Sequence, residues 1–209
     1  MTTGIVVAGG ASRRFGPGEK ALATVAGSSM LHRVVDRLEP IVDGVVVNCR
    51  EEQRSAFEAA LSDAGQVRFA IDSVPDGGPV VGLATAIEAV DDRSALVVGC
   101  DFPLVTTAAL STIHSRLERH DADVVVPRVD GRRQPLCGAY RLDALAAELA
   151  TPSEVRGRRL GAVLDRLDGD VLSASRLPGG NRTFWNVNTR TDLEFARRFA
   201  ALESLDGAW

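Results

Sequence analysis

Short runs rich in valine and isoleucine alternate along this chain with stretches whose apolar residues recur at helical spacing. The runs cover residues 5–8, 45–48, 68–71, 96–100 and 124–126. Between them, Met30, Leu31, Val34, Val35 and Leu38 lie on one helical face, as do Leu83, Ala86, Ile87 and Val90, and then Leu110, Ile113 and Leu117. Nearly unbroken apolar runs are what strands covered on both faces require, whereas a strand with one wet face alternates. The pattern therefore predicts an α/β fold, a doubly wound and mostly parallel sheet flanked by helices. At 209 residues the chain suits one domain with a substantial core. The second half is less regular. Residues 135–140 read as a strand, 158–167 as an amphipathic helix and 173–183 as a loop. The last helix is expected to open at Thr191, with Glu194 completing a capping box.

In sheets of this kind, ligands bind outside the carboxyl ends of the strands, near a switch in strand order. The positions that close or follow the runs are Gly9-Gly10, Asn48, Asp72 and Asp101, which should converge on one edge. Gly9 and Gly10 permit close backbone approach, so that successive amides can face anionic oxygens. Ser12 adds a hydroxyl donor, while Arg14 and Lys20 add positive charge. Lys20 is the one lysine among 24 basic residues, the rest being arginines. The two side chains are not interchangeable, one a compact ammonium and the other a planar fork. The segment lacks the Gly-Lys-Ser/Thr of a P-loop and the Gly-x-Gly-x-x-Gly of a dinucleotide fingerprint. Ala8-Gly9-Gly10 alone would read as a tight turn. Ser12, Arg14, Gly16 and Lys20 at these spacings turn the reading to a phosphate site.

Asp101 follows the most apolar run and precedes Phe102-Pro103. A carboxylate there is placed to hold Mg²⁺, which needs one or two protein carboxylates beside substrate phosphates. The competing role is a helix N-cap, but Thr106 and Thr107 stand nearer the next helix. Asn48 and Asp72 could each be turn residues, and only their shared edge raises them above that.

Composition narrows the function classes. A formal net charge of -4 gives no electrostatic case for nucleic acid or for an anionic membrane surface. No apolar run approaches the roughly 20 residues that cross a bilayer, and the apolar stretch at the start is short for a signal peptide. A cytoplasmic protein is expected. Cys49, Cys100 and Cys137 are odd in number and far apart, which opposes a disulfide framework or a zinc site and suits buried strand positions. His32, His114 and His120 fall in or beside predicted helices with no metal-pair spacing.

The segment from Ala8 to Lys20 resembles the signature of the sugar-nucleotide and cofactor nucleotidyltransferases, a superfamily with a doubly wound α/β fold. Within it the chain is most similar to the molybdenum cofactor guanylyltransferases. The likeness continues in order through Val47-Asn48, Ile71-Asp72-Ser73, Gly78-Pro79 with Gly82, Cys100-Asp101-Phe102-Pro103, Gln134-Pro135-Leu136 and Phe184-Trp185-Asn186-Val187-Asn188-Thr189. Phe15 stands where methionine is usual, Glu19 where aspartate commonly precedes the lysine, and Cys137-Gly138 where bulkier residues are frequent.

The resemblance implies transfer of GMP from GTP to the terminal phosphate of molybdopterin, with release of pyrophosphate. It implies nucleotide contacts by Val7, Ala8, Gly9, Gly10, Ser12, Lys20, Asn48, Asp72 and Asp101, and catalytic roles for Arg14, Lys20 and Asp101. Mg²⁺ is the implied cofactor, held by Asp101 and by Asn188, for which ordering a turn is the alternative. The implied layout is a single nucleotidyltransferase domain over residues 1–209, with a nucleotide-binding half to residue 127 and an acceptor-binding half from 128. GTP and molybdopterin are the implied substrates. Other molybdenum cofactor biosynthesis proteins and the recipient molybdoenzyme are candidate partners, with neither nucleic acid nor membrane expected.

Rival readings are a molybdopterin cytidylyltransferase, a cobinamide-phosphate guanylyltransferase, a transferase acting on sugar or isoprenoid phosphates, and a non-catalytic nucleotide-binding adaptor. Ala8-Gly9-Gly10 favours the guanylyl branches, and the Asn-Val-Asn-Thr segment favours the pterin. Retention of Lys20, Asp72 and Asp101 together opposes an adaptor. Arg132, Arg133, Arg156, Arg158 and Arg159 could grip the anionic acceptor, against the simpler reading of a solvated surface.

Overall fold

The computed structural model describes residues 1–10, 14–72, 74, 77–149 and 153–205. A central sheet is built from β1 (Thr2–Val7), β4 (Gly44–Cys49), β5 (Val67–Ile71), β6 (Ser94–Gly99), β7 (Val124–Val129), β9 (Cys137–Arg141) and β10 (Gly169–Ser173), with β8 (Arg132–Arg133) hairpinned onto β7. A small ribbon, β2 (Thr24–Val25) with β3 (Ser28–Ser29), leads into the first helix. The spatial order is β10-β7-β9-β6-β1-β4-β5. Pairs β1–β4, β1–β6, β4–β5 and β10–β7 are parallel. The strand β9 runs antiparallel to both β6 and β7.

Helices cover both faces, as the unbroken runs require. On one face α1 (Met30–Leu38), α2 (Glu51–Ala60) and α4 (Thr107–Arg119) bring Leu31, Val35, Phe57, Leu110, Ile113 and Leu117 against Val6, Val47, Leu96 and Val98. On the other, α3 (Gly78–Ile87), α5 (Leu142–Leu149) and α6 (Leu160–Leu164) pack Val80, Leu83, Leu145, Leu149 and Val163 against Ile5, Val7, Val46 and Val97. Neighbouring strand residues thus feed opposite cores, the two-residue period of a pleated strand. The final helix α7 (Arg190–Leu205) closes a third cluster over Phe15, Val25, Met30, Leu104 and Val187.

The mostly parallel, doubly wound architecture agrees with the expectation. Several details do not. Residues 169–173 form an edge strand that runs up to the segment read as a loop, and that segment holds two 3₁₀ turns, Ala174–Arg176 and Gly180–Phe184. The helix expected over 158–167 is shorter because Arg159 is extended (φ -94°, ψ 136°), so it starts at Leu160. Val90 lies past the end of α3. The last helix is capped two residues earlier than predicted. Asp192 N donates to Thr189 Oγ1 at 3.2 Å, and Thr189 N donates to Asp192 Oδ2 at 2.8 Å, a reciprocal capping box. Glu194 instead pairs with Arg197.

Candidate nucleotide site

After β1 the chain winds to β4 and β5 on one side, while β6 returns to the other side of β1 and leads away toward β7 and β9. The switch in strand order therefore falls between β1 and β6. A cavity of about 480 Å³ opens there, lined by Val7, Ala8, Gly9, Gly10, Arg14, Lys20, Asn48, Asp72, Asp101 and Asn188, among others. Every predicted site residue that the structure describes is in that wall. Ser12 lies outside the described residues.

The strand register accounts for the convergence. Ala8 N donates to Asn48 O at 3.0 Å, Asp72 N to Cys49 O at 2.9 Å and Cys100 N to Val7 O at 3.1 Å, so the strand ends are level. Asn48 is fully buried. Its Nδ2 donates to Asp72 Oδ1 at 2.7 Å and to Ala70 O at 3.3 Å, which fixes the amide's orientation and leaves Oδ1 buried with no donor among the described residues. Two glycines make room for this pair. A Cβ on Gly9 would overlap Asp72 Oδ2, and one on Gly82 would overlap Asn48 Oδ1. Burial pushes the Asp72 carboxyl above the ordinary carboxylate range, opposed by the Asn48 amide, the nearby Thr85 hydroxyl and Arg50.

Asp101 stands one residue beyond Cys100, past the end of β6. It does not cap α4, whose N-cap is Thr106, with its hydroxyl accepting from Ala109 N at 3.2 Å. The carboxylate divides its two oxygens. Oδ2 accepts from Lys20 Nζ at 3.1 Å, with both side chains about seven-eighths buried (12% and 15% exposed). Oδ1 is buried and has no partner among the described residues. Lys20 Nζ also donates to Val187 O at 3.1 Å, and Val187 N donates to Asp101 O at 2.8 Å. Lysine, aspartate and the Asn186–Asn188 turn are thus one assembly. In that turn Asn188 Nδ2 donates to Asn186 Oδ1, and Asn188 N donates to Asp192 Oδ2 at 2.9 Å.

Among the described residues no group of three His, Cys, Asp or Glu side chains could hold a metal by itself. A buried carboxylate oxygen with no partner among the described residues, facing this cavity, nevertheless suits a hard divalent cation that takes its remaining oxygens from substrate.

A profile of the MobA-like NTP transferase domain matches residues 4–169. The chain belongs to that family. Within it, the chain is 42% identical over 194 residues to a protein of Haloferax mediterranei named probable molybdenum cofactor guanylyltransferase, covering 91% of this chain and 90% of the other. It is 32% identical over 199 residues to the molybdenum cofactor guanylyltransferase of Desulfosudis oleivorans, covering 93% of each. Molybdopterin-guanine dinucleotide biosynthesis protein A of Archaeoglobus fulgidus shares the fold, with a TM-score of 0.75 at 24% identity over 95% of this chain and 98% of the other.

The wall also holds residues that the sequence reading left out of the site, namely Ala21, Gly77, Gly78, Pro79, Cys100 and Leu136. Gly78-Pro79 was visible only as one of the motifs of the resemblance, and it opens α3. Leu136 stood in the Gln134-Pro135-Leu136 motif of the resemblance, with no site role assigned to it. It arrives because Gly99 N donates to Leu136 O at 2.8 Å, joining the turn before β9 to the end of β6. The arginines considered for the acceptor do not line the cavity. Arg133 pairs with Asp165, and Arg158 donates to Glu148 O at 2.6 Å. Among the described residues no helix is long and apolar enough to cross a membrane.

Proposed function

We propose that this protein transfers GMP from GTP to the terminal phosphate of molybdopterin and releases pyrophosphate. The observation that carries the proposal is one cavity at the switch point holding a glycine pair, the single lysine and a half-engaged aspartate. The family and its guanylyltransferase members support the choice of reaction and substrates.

In-line attack on an α-phosphate asks little covalent chemistry of a protein, so positioning and charge neutralisation carry the rate. In our reading Gly9, Gly10, Arg14 and Lys20 receive the triphosphate, with Val7 and Ala8 forming the floor beneath the nucleotide. Lys20 leaves or shares Asp101 as phosphate oxygens arrive. Asn48 holds Asp72, and the two offer acceptor oxygens suited to the ring N–H and amino group of guanine. Asp101 and Asn188 would hold Mg²⁺. When bound, that ion supplies charge neutralisation at the phosphates and stabilises the departing pyrophosphate. In this reading the acceptor enters past Leu136 and Asn188, both in the cavity wall, so acceptor binding falls to the part of the chain after residue 127. A cytoplasmic location fits this role, with cofactor biosynthesis proteins and a recipient molybdoenzyme as partners.

The test is a nucleotide panel with molybdopterin as acceptor. Pyrophosphate release is expected with GTP, Mg²⁺ and molybdopterin together, and not with CTP, UTP or ATP in place of GTP. Faster release with CTP than with GTP would overturn the guanylyl assignment.

A further inference from the structure

The glycine-rich loop is tied to the far end of the chain by a side chain that lies outside the cavity wall. Arg190, the first residue of α7, donates from Nε to Phe15 O at 3.2 Å and from Nη2 to Pro17 O at 2.6 Å. Its guanidinium also lies over the Phe15 ring, 4.3 Å from the centroid. Phe15 is itself buried, packed in the cluster with Leu193 and Ala196 of α7. One planar fork thus grips the loop on two successive sides, by its carbonyls and by its aromatic anchor, across more than 170 residues of sequence.

The loop needs such a grip. Gly16 and Gly18 both have positive φ, +90° and +94°, and a Cβ at either would meet nothing within 4 Å. Two glycines in open space give the segment wide conformational freedom when nothing restrains it. The segment lies between Arg14 and Lys20, both in the cavity wall. At its other end Arg190 follows directly on the Asn186–Thr189 turn, whose Val187 O holds Lys20. The restraint therefore joins the two walls of the site.

We propose that Arg190 is a positioning residue for the nucleotide, a strap that fixes the glycine-rich loop before the triphosphate binds. This rests on the function proposed above for its kinetic arm only. A loop ordered beforehand lowers the entropic cost of binding, so its release is expected to raise KM for GTP about five- to tenfold. The chemical step, carried by groups Arg190 does not touch, keeps kcat within about twofold.

The experiment compares wild type, Arg190→Gln and Arg190→Lys by two readouts. The first is the rate of tryptic cleavage after Arg14 in nucleotide-free protein, which reads the loop directly. The second is the KM–kcat split for GTP with saturating molybdopterin. We expect both variants to be cleaved at least about fivefold faster after Arg14 and to show the KM rise. Lysine should not rescue, since an ammonium cannot span two carbonyls and stack on the ring. Wild-type cleavage rates in Arg190→Gln would overturn the strap, as would full rescue by Arg190→Lys or an equal fall in kcat with unchanged KM. A wild-type protein inactive with GTP would overturn the function proposal instead, and the cleavage rates would still decide the strap.

Discussion

Gly82→Ala isolates the packing that holds the Asn48–Asp72 pair. Gly82 lies inside α3, and an added Cβ would overlap Asn48 Oδ1. Asn48 has little room to yield. It is fully buried, and its amide is engaged by Asp72 at 2.7 Å and by Ala70 at 3.3 Å. Two effects oppose each other. Alanine in a helix interior gains about 1 kcal/mol over glycine. Against this, overpacking costs about 1–3 kcal/mol, and losing a hydrogen bond to a charged group costs about 1.5–3 kcal/mol. The packing effects win, leaving a net loss of roughly 1.5–5 kcal/mol. For a chain of this size, at about 2–4 °C per kcal/mol, the Tm should fall by about 3–20 °C. Gly161→Ala is the control, because Gly161 lies in α6 and a Cβ there meets nothing within 4 Å. Its Tm should rise by about 1–3 °C. Thermal unfolding is followed without ligand and again with Mg²⁺ and GTP. The stabilisation by GTP should be smaller in Gly82→Ala, since displacing Asn48 displaces Asp72. A Gly82→Ala protein as stable as wild type with full GTP stabilisation would refute the reasoning, as would an equal loss in the control.

Burial raises the Asp72 pKa above its ordinary 3.8. A raised carboxyl contributes stability below the unfolded value and loses that contribution as pH rises through the folded value, so ionised Asp72 costs stability at neutral pH. Asp72→Asn should therefore raise the Tm of the nucleotide-free protein at pH 7 while weakening GTP binding, and a lower Tm at pH 7 would contradict this. Burial pushes the Cys49 and Cys100 thiols up to about 12 and Cys137 higher still. At pH 8 a thiol of pKa 12 is about 0.01% thiolate, so a thiol reagent should leave the native protein essentially unlabelled and titrate all 3 cysteines after unfolding. Rapid labelling of the native protein would be the contrary result. Thr189→Ala should cost about 1 kcal/mol in denaturant unfolding as a lost cap, and Thr191→Ala less than about 0.5 kcal/mol. The reverse ranking would restore the cap to Thr191.

The inner strands were legible because both faces are covered, which writes them as apolar runs with little ambiguity. The strand β10 was not, because it sits at the sheet edge and its residues are exposed or half-buried. The helix α2 has little apolar signal, with only Gln53 and Phe57 buried. The direction of β9 is set by its neighbours rather than by its hydrophobicity, so an antiparallel partner for β6 could not be read from the sequence. The same limit kept Leu136, visible in the Gln134-Pro135-Leu136 motif, from being placed in the cavity wall, which it reaches through that pairing. Asn48, Asp72 and Asp101 were legible because strand ends in a parallel sheet point to one edge. The C-terminal cap was ambiguous for a local reason. Thr189 with Asp192 and Thr191 with Glu194 both satisfy the spacing, and the first wins because Asp192 also receives the Asn188 amide. The strap from Arg190 had no signal at all, since nothing in either segment announces a contact across the chain.

Asp101 defines the site, one carboxylate oxygen bound by Lys20 and the other without a partner among the described residues. The measurement that bears on it most directly is Mg²⁺-dependent pyrophosphate release from GTP and molybdopterin by wild type and Asp101→Ala, with the Tm of both recorded. Release by wild type is expected, with a loss of at least about a hundredfold in the variant and a variant that still unfolds cooperatively. Undiminished release by a folded Asp101→Ala protein would contradict it.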